Sequence, residues 1–274
     1  MTLTTLRLSK SGRRVSFRDC GTGDVIVLLH GVGMQSAAWT PQIAALCCTH
    51  RVIALDLPGH GGSDPLPNES QLPDFVAWCG EVLQALNLGP ANLIGHSMGA
   101  LIALGVAVSH PKLVRRLAVL NIVFRRDADA RAAVIARAAD IQAGHVDLDT
   151  PLARWFDAGA DDSAARRDVA EWLNDVDPKG YATAYTAFAQ GDATYAADLS
   201  DIACPFLALT GDGDHNSTPA MAKTMAKRAQ NGRSEVIAGH RHMANLTAPE
   251  QVNAHLLAWL NMPDLHSPTS PHER

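Results

Sequence analysis

Apolar residues fall into two kinds of stretch. Val25 to Leu29 is a continuous apolar run, as expected of a strand buried on both faces; 51–55 repeats the pattern, and further strands are expected at 91–94, 117–120, 206–209 and 235–237. Between them, apolar positions recur at helical spacing. From Pro73 to Leu86 they stand at 75, 76, 79, 82, 83 and 86, and Gly89-Pro90 ends the pattern. Residues 3–8 and 13–19 alternate loosely around Ser11-Gly12 and predict antiparallel strands at a sheet edge. Strands alternating with helices predict a parallel sheet covered on both faces.

The alternation breaks between Asn121 and Asp201. Alanine-rich helical stretches near 127–143, 149–158, 163–174 and 179–190 follow one another without an intervening strand. An insertion of this kind predicts a helical cap over the carboxyl end of the sheet. The expected division is a core of residues 1–124 and 196–262 and a cap of residues 125–195. Residues 263–274 hold three prolines and little apolar content, and a disordered tail is expected there. Near the end, Thr247 and Glu250 read as a capping box that starts a helix at about Ala248.

Composition narrows the possible partners. A net charge of −5 gives no electrostatic footprint for nucleic acid or an anionic membrane. The five cysteines are odd in number and lack C-x-x-C spacing, which suits reduced thiols. The first fifteen residues are polar, and no apolar run approaches a membrane span of ~20 residues. A cytoplasmic location is expected; oligomeric state stays open.

The chemistry centres on Gly95-His96-Ser97-Met98-Gly99, which joins a strand to a buried helix. G-x-S-x-G in that context presents a serine hydroxyl at the end of a sheet. A serine needs a base to take its proton and an acid to hold the base in one tautomer. The last two strands run into Thr210-Gly211-Asp212-Gly213-Asp214 and Ala238-Gly239-His240-Arg241-His242. Each loop offers two candidates, Asp212 or Asp214 and His240 or His242. After strand 117–120 stands Asn121, with no carboxylate before Asp127. His30, His60 and His96 have no metal-ligand spacing, and neither metal nor cofactor is expected.

These segments, with His30-Gly31-Val32-Gly33 and Asp56-Leu57-Pro58-Gly59-His60-Gly61-Gly62-Ser63-Asp64, resemble the α/β-hydrolase fold family over residues 12–262. The pattern is most similar to capped serine esterases, enol-lactonases and non-haem haloperoxidases. The resemblance implies a mostly parallel sheet flanked by helices, with a helical cap after the sixth strand. It implies Ser97 as nucleophile, Asp214 as acid, His242 as base, and the Val32 and Met98 amides as oxyanion donors. The implied reaction is hydrolysis of a small-molecule ester or lactone through an acyl-serine. Carbon–carbon bond hydrolysis and a non-catalytic ligand receptor are the alternatives. Arg241 departs from the family, which usually has glycine before the histidine. Arg125 and Arg126, where the cap begins, are candidate partners for a substrate carboxylate, and Trp155 is a candidate for the pocket wall.

Overall fold

A computed structural model describes residues 3–157 and 163–263. The strands are β1 (Leu3–Arg7), β2 (Arg14–Cys20), β3 (Val25–Leu29), β4 (Arg51–Leu55), β5 (Ala91–His96), β6 (Val114–Leu120), β7 (Phe206–Gly211) and β8 (Gly232–Ile237). They form one sheet in the order β1-β2-β4-β3-β5-β6-β7-β8. The pairs β1–β2 and β2–β4 are antiparallel, and every pair from β4–β3 to β7–β8 is parallel. Residues 264–274, most of the expected tail, lie outside the described residues.

Alternation along the strands divides the apolar residues between two faces. Ile26, Leu28, Val52, Ala54, Ile94, Leu207 and Leu209 share a cluster with α1 (Thr40–Leu46), the short α9 (Ala244–Thr247) and α10 (Pro249–Leu260). Val27, Leu29, Ile53, Leu55, Leu93, Val119 and Ala208 face α2 (Leu72–Ala85), α3 (Met98–Ser109) and α8 (Pro219–Arg228). Helix α3 is buried from Met98 to Ala107, on every side, which explains why its sequence shows no polar stripe. No helix among the described residues is long and apolar enough to cross a membrane.

Four helices stand between β6 and β7: α4 (Ala128–Gln142), α5 (Asp149–Trp155), α6 (Ser163–Asp175) and α7 (Pro178–Gly191). Their apolar residues, among them Ile141, Leu152, Leu173 and Tyr181, belong to the same cluster as the second sheet face. Two strands begin before their apolar runs. β6 begins at Val114 because Arg115 and Arg116 continue the ladder, and β8 begins at Gly232 because this edge strand is only half-buried. The expected cap at Thr247 is corrected: Thr247 closes α9, Ala248 precedes α10, and the Thr247 Oγ1 bonds His240 Nδ1 at 2.8 Å.

The two ends of the helical insertion are tied by a buried carboxylate. Asp192, after α7, accepts the Arg126 backbone N–H at 2.6 Å and pairs with the Arg126 and Arg131 guanidiniums at 3.2 Å each. Burial lowers the Arg126 pKa, and Asp192 opposes that shift. Removing one member of a buried pair leaves the other charge uncompensated. Asp192→Ala should therefore lose about 3 kcal/mol of stability, read from the urea midpoint. A midpoint unchanged from wild type would contradict this account of how the cap is held.

Candidate active site

Ser97 sits between β5 and α3 at φ 52° and ψ −114°, a backbone conformation sparsely populated outside glycine. The surroundings over-determine it. Its N–H donates to the Leu120 carbonyl at 2.9 Å, and a methyl on Gly99 would collide with the Leu29 and His30 carbonyls. The turn thus exists because α3 lies directly on β3. Met98 is the first residue of α3, so its N–H has no partner within the helix.

The opposite wall is the loop after β3. A Cβ on Gly31 would stand 3.2 Å from the Ser97 Cβ, so this backbone touches the serine, and Val32 follows. Two buried histidines hold the loop. His30 donates from Nδ1 to the Gly31 carbonyl at 2.7 Å and accepts the Leu57 N–H at Nε2 at 2.9 Å. His60 donates from Nδ1 to the Pro58 carbonyl at 3.0 Å and accepts the Gly33 N–H at 2.9 Å. Both bonding patterns require neutral imidazole.

The later loops bring Asp214 and His242 together. His242 Nδ1 meets Asp214 Oδ2 at 2.7 Å, both side chains almost wholly buried. That bond puts the ring proton on Nδ1 and leaves Nε2 with its lone pair. Asp214 Oδ1 accepts the backbone N–H groups of Asn216 at 2.9 Å and Ser217 at 3.1 Å. Burial pushes the Asp214 carboxyl up, but His242, the Asn121 amide and the Asn216 N–H outweigh it and hold the group well below the usual carboxylate range. Asp212 instead accepts the Gly239 N–H at 2.8 Å, and His240 bonds Thr247. His96, beside the serine, donates from Nε2 to the His242 carbonyl at 2.8 Å and so braces the loop that carries His242.

Ser97, His242 and Val32 open onto one cavity of about 1040 Å³ under the inserted helices. Trp155 lines it and stacks on His242, with centroids 5.7 Å apart and planes 25° from parallel. Arg126 lines it too, with its guanidinium engaged by Asp192 and lying 4.5 Å from the Phe188 ring centre. Arg125 does not. It is exposed, with φ 51°, and its guanidinium lies over the neighbouring Phe124 ring.

Other wall residues were not singled out from sequence. Arg137 lines the cavity from α4, on a face with Ala130, Ala133, Val134 and Ile141, and Arg154 lines it from α5. The signal for Arg137 was available: a basic residue in helical register with a stripe of small ones. Asn121, passed over because it is not an acid, donates from Nδ2 to Asp214 Oδ2 at 2.8 Å and to the Arg241 carbonyl at 3.2 Å.

A mostly parallel sheet with serine on the β5–α3 turn, and the aspartate and histidine after β7 and β8, is the architecture of an α/β hydrolase. The chain belongs to the alpha/beta hydrolase family, which it matches over residues 26–255. It is 52% identical to an (E)-2-((N-methylformamido)methylene)succinate hydrolase of Acinetobacter baylyi, over 93% of this chain and 97% of that protein. It is 30% identical to 3-oxoadipate enol-lactonase 1 of the same organism, over 89% and 91%. Among solved structures, the enol-lactonase of Burkholderia xenovorans superposes with a TM-score of 0.86 at 23% identity, covering 94% of this chain and all of that one (100%).

Three buried histidines make the fold sensitive to acid. Burial, joined by a neighbouring histidine, lowers His60 and His96 to about 3, and burial lowers His30 to about 4 against the pull of Asp56. The unfolded chain titrates these groups near ~6.5 and so binds protons that the folded chain refuses. Stability is therefore lost as pH falls from ~6.5 toward the folded values, by up to ~1.4 kcal/mol per pH unit for each histidine. Asp214 adds a loss in the same direction below the ordinary carboxylate value of ~3.9. The urea midpoint should drop between neutral pH and mild acid, less steeply in His60→Gln, which keeps an amide at that position without a titrating group. Equal slopes in the two proteins would contradict the assignment.

Proposed function

We propose that the chain is a serine hydrolase that removes an acyl group from a small carboxylate-bearing molecule. Ser97 is the nucleophile, His242 the base and Asp214 the group that orients it; the amides of Val32 and Met98 receive the oxyanion. Residues 125–195 act as the cap domain that closes the site. The observation that carries this reading is the His242–Asp214 bond at 2.7 Å opening, with Ser97, onto one cavity.

In the proposed cycle Ser97 Oγ attacks the acyl carbon while His242 Nε2 takes its proton. The tetrahedral oxyanion is stabilised by fixed dipoles rather than by mobile water. Its collapse breaks the bond to the leaving nitrogen or oxygen, which leaves with the proton held by His242. Water, deprotonated by the same Nε2, then releases the acid and restores the serine.

The relative at 52% identity supports a substrate class. A succinate bearing an N-methylformamido group has two carboxylates and an N-formyl amide, so the transferred group on this chain would be formyl. The wall of the cavity supports an anionic substrate. Arg137 and Arg154 face it, while two of the nearby carboxylates serve helix starts: Asp127 accepts the Ala130 N–H at 2.8 Å and Asp147 the Asp149 and Thr150 N–H groups at 3.0 and 3.2 Å. The enol-lactonase relative favours a second reading, a carboxylate-bearing lactone or ester opened by the same steps.

Incubation with the N-methylformamido-methylene succinate should release formate, and Ser97→Ala should lower that rate by at least ~10³-fold. Arg137→Ala and Arg154→Ala should raise KM for this dicarboxylate while leaving a neutral p-nitrophenyl ester nearly unaffected. Turnover of lactones alone would select the second reading, and a Ser97→Ala variant as active as wild type would overturn both.

A further inference from the structure

Arg241 stands directly before His242, where the family resemblance leads one to expect glycine. Its side chain leaves the base loop and reaches the carboxyl end of α5. Nε pairs with Asp157 at 2.6 Å, and Nη1 donates to the carbonyls of Ala153 at 3.1 Å and Phe156 at 3.2 Å. Carbonyls in a helix's last turn lack intrahelical donors, and the negative end of the helix dipole favours a cation there. The Arg241 backbone is held from the other side, because its carbonyl accepts from the Asn121 amide that also bonds Asp214. Between these anchors lies Trp155, the last residue of α5, stacked on the His242 ring. Glycine at 241 would supply none of the contacts to α5.

We propose that Arg241 is a positioning residue that locks α5 to the base loop and thereby holds the Trp155 indole against the His242 imidazole. The proposal rests on the reading of His242 as the base. Stacking fixes the plane of the imidazole while Nδ1 stays on Asp214. The indole face also attracts the imidazolium that forms when Ser97 gives up its proton. The ion pair with Asp157 is half in solvent, with side chains 30% and 45% exposed, and contributes little alone. The two carbonyl bonds give the latch its direction, since a planar guanidinium reaches both carbonyls and the carboxylate at once and a lysine ammonium does not.

The test is a double-mutant cycle on the full-length protein, read by the second-order rate of labelling with a fluorophosphonate and by kcat and KM for p-nitrophenyl acetate. Arg241→Ala and Trp155→Leu should each slow labelling roughly ten-fold, as expected for a base held out of line. The loss should fall on kcat rather than KM, with melting temperatures within a few degrees of wild type. Because one residue acts through the other, the double variant should be no slower than the slower single one. Should Arg241→Ala fail to fold, Arg241→Lys takes its place in the cycle. Losses that multiply, or an Arg241 variant that labels at full speed, would overturn the latch. Ser97→Ala in the same series separates the two claims. If it labels like wild type, the functional reading fails; if it is silent while the Arg241 variant is fully reactive, only the latch fails.

Discussion

A carboxylate inside a protein is tolerable only when donors converge on it, and the site is built around that constraint at Asp214. Four donors reach it: His242 Nδ1, the Asn121 amide and the N–H groups of Asn216 and Ser217. They are delivered by three different commitments of the fold. His242 comes from the loop after β8. Asn121 comes from the end of β6, where φ 50° turns the chain out of the strand. Asn216 and Ser217 come from the turn before α8, which is locked in return as Ser217 Oγ donates to the Asn121 carbonyl at 2.7 Å. The parallel order β6-β7-β8 is what sets these three loops side by side. Any shift of one strand would leave the charge short of a donor, so the sheet and the Asp214–His242 pair define one another.

The same logic extends to the other side of the serine. The loop carrying Val32 is held by His30 and His60, each using one ring nitrogen as donor and the other as acceptor. Neutral imidazole is the side chain suited to this, because it offers both roles in one rigid ring. The cost is a fold that resists protons poorly. His96 joins the halves, touching the Gly31 loop on one side and bonding the His242 carbonyl on the other.

Much of this was legible in the sequence, for physical reasons that can be named. Runs such as Val25–Leu29 and Arg51–Leu55 were read with their true ends because the interior of a strand buried on both faces carries no polar residue to blur it. The order serine, aspartate, histidine placed Asp214 and His242 at strand ends before any geometry, and the resemblance chose them over Asp212 and His240. What stayed hidden depends on contacts distant in sequence. Arg241 and Asn121 face partners some eighty to one hundred and twenty residues away, and nothing local marks them. Arg125 and Arg126 look alike in the chain, yet the left-handed backbone at Arg125 turns the first to solvent and the second toward Asp192. Thr247 resembled a helix start because its capping partner was present, but Ala244 to Thr247 coils first and the hydroxyl goes to His240.

In the proposed cycle Ser97 carries the acyl group in a covalent intermediate activated by His242 and Asp214. The most direct test is a rapid-quench reaction with p-nitrophenyl acetate followed by peptide mapping. The account predicts a burst of p-nitrophenol close to one per protein chain, with acetyl on the peptide containing Ser97. A burst that persists in Ser97→Ala, or acetyl recovered on another side chain, would contradict it.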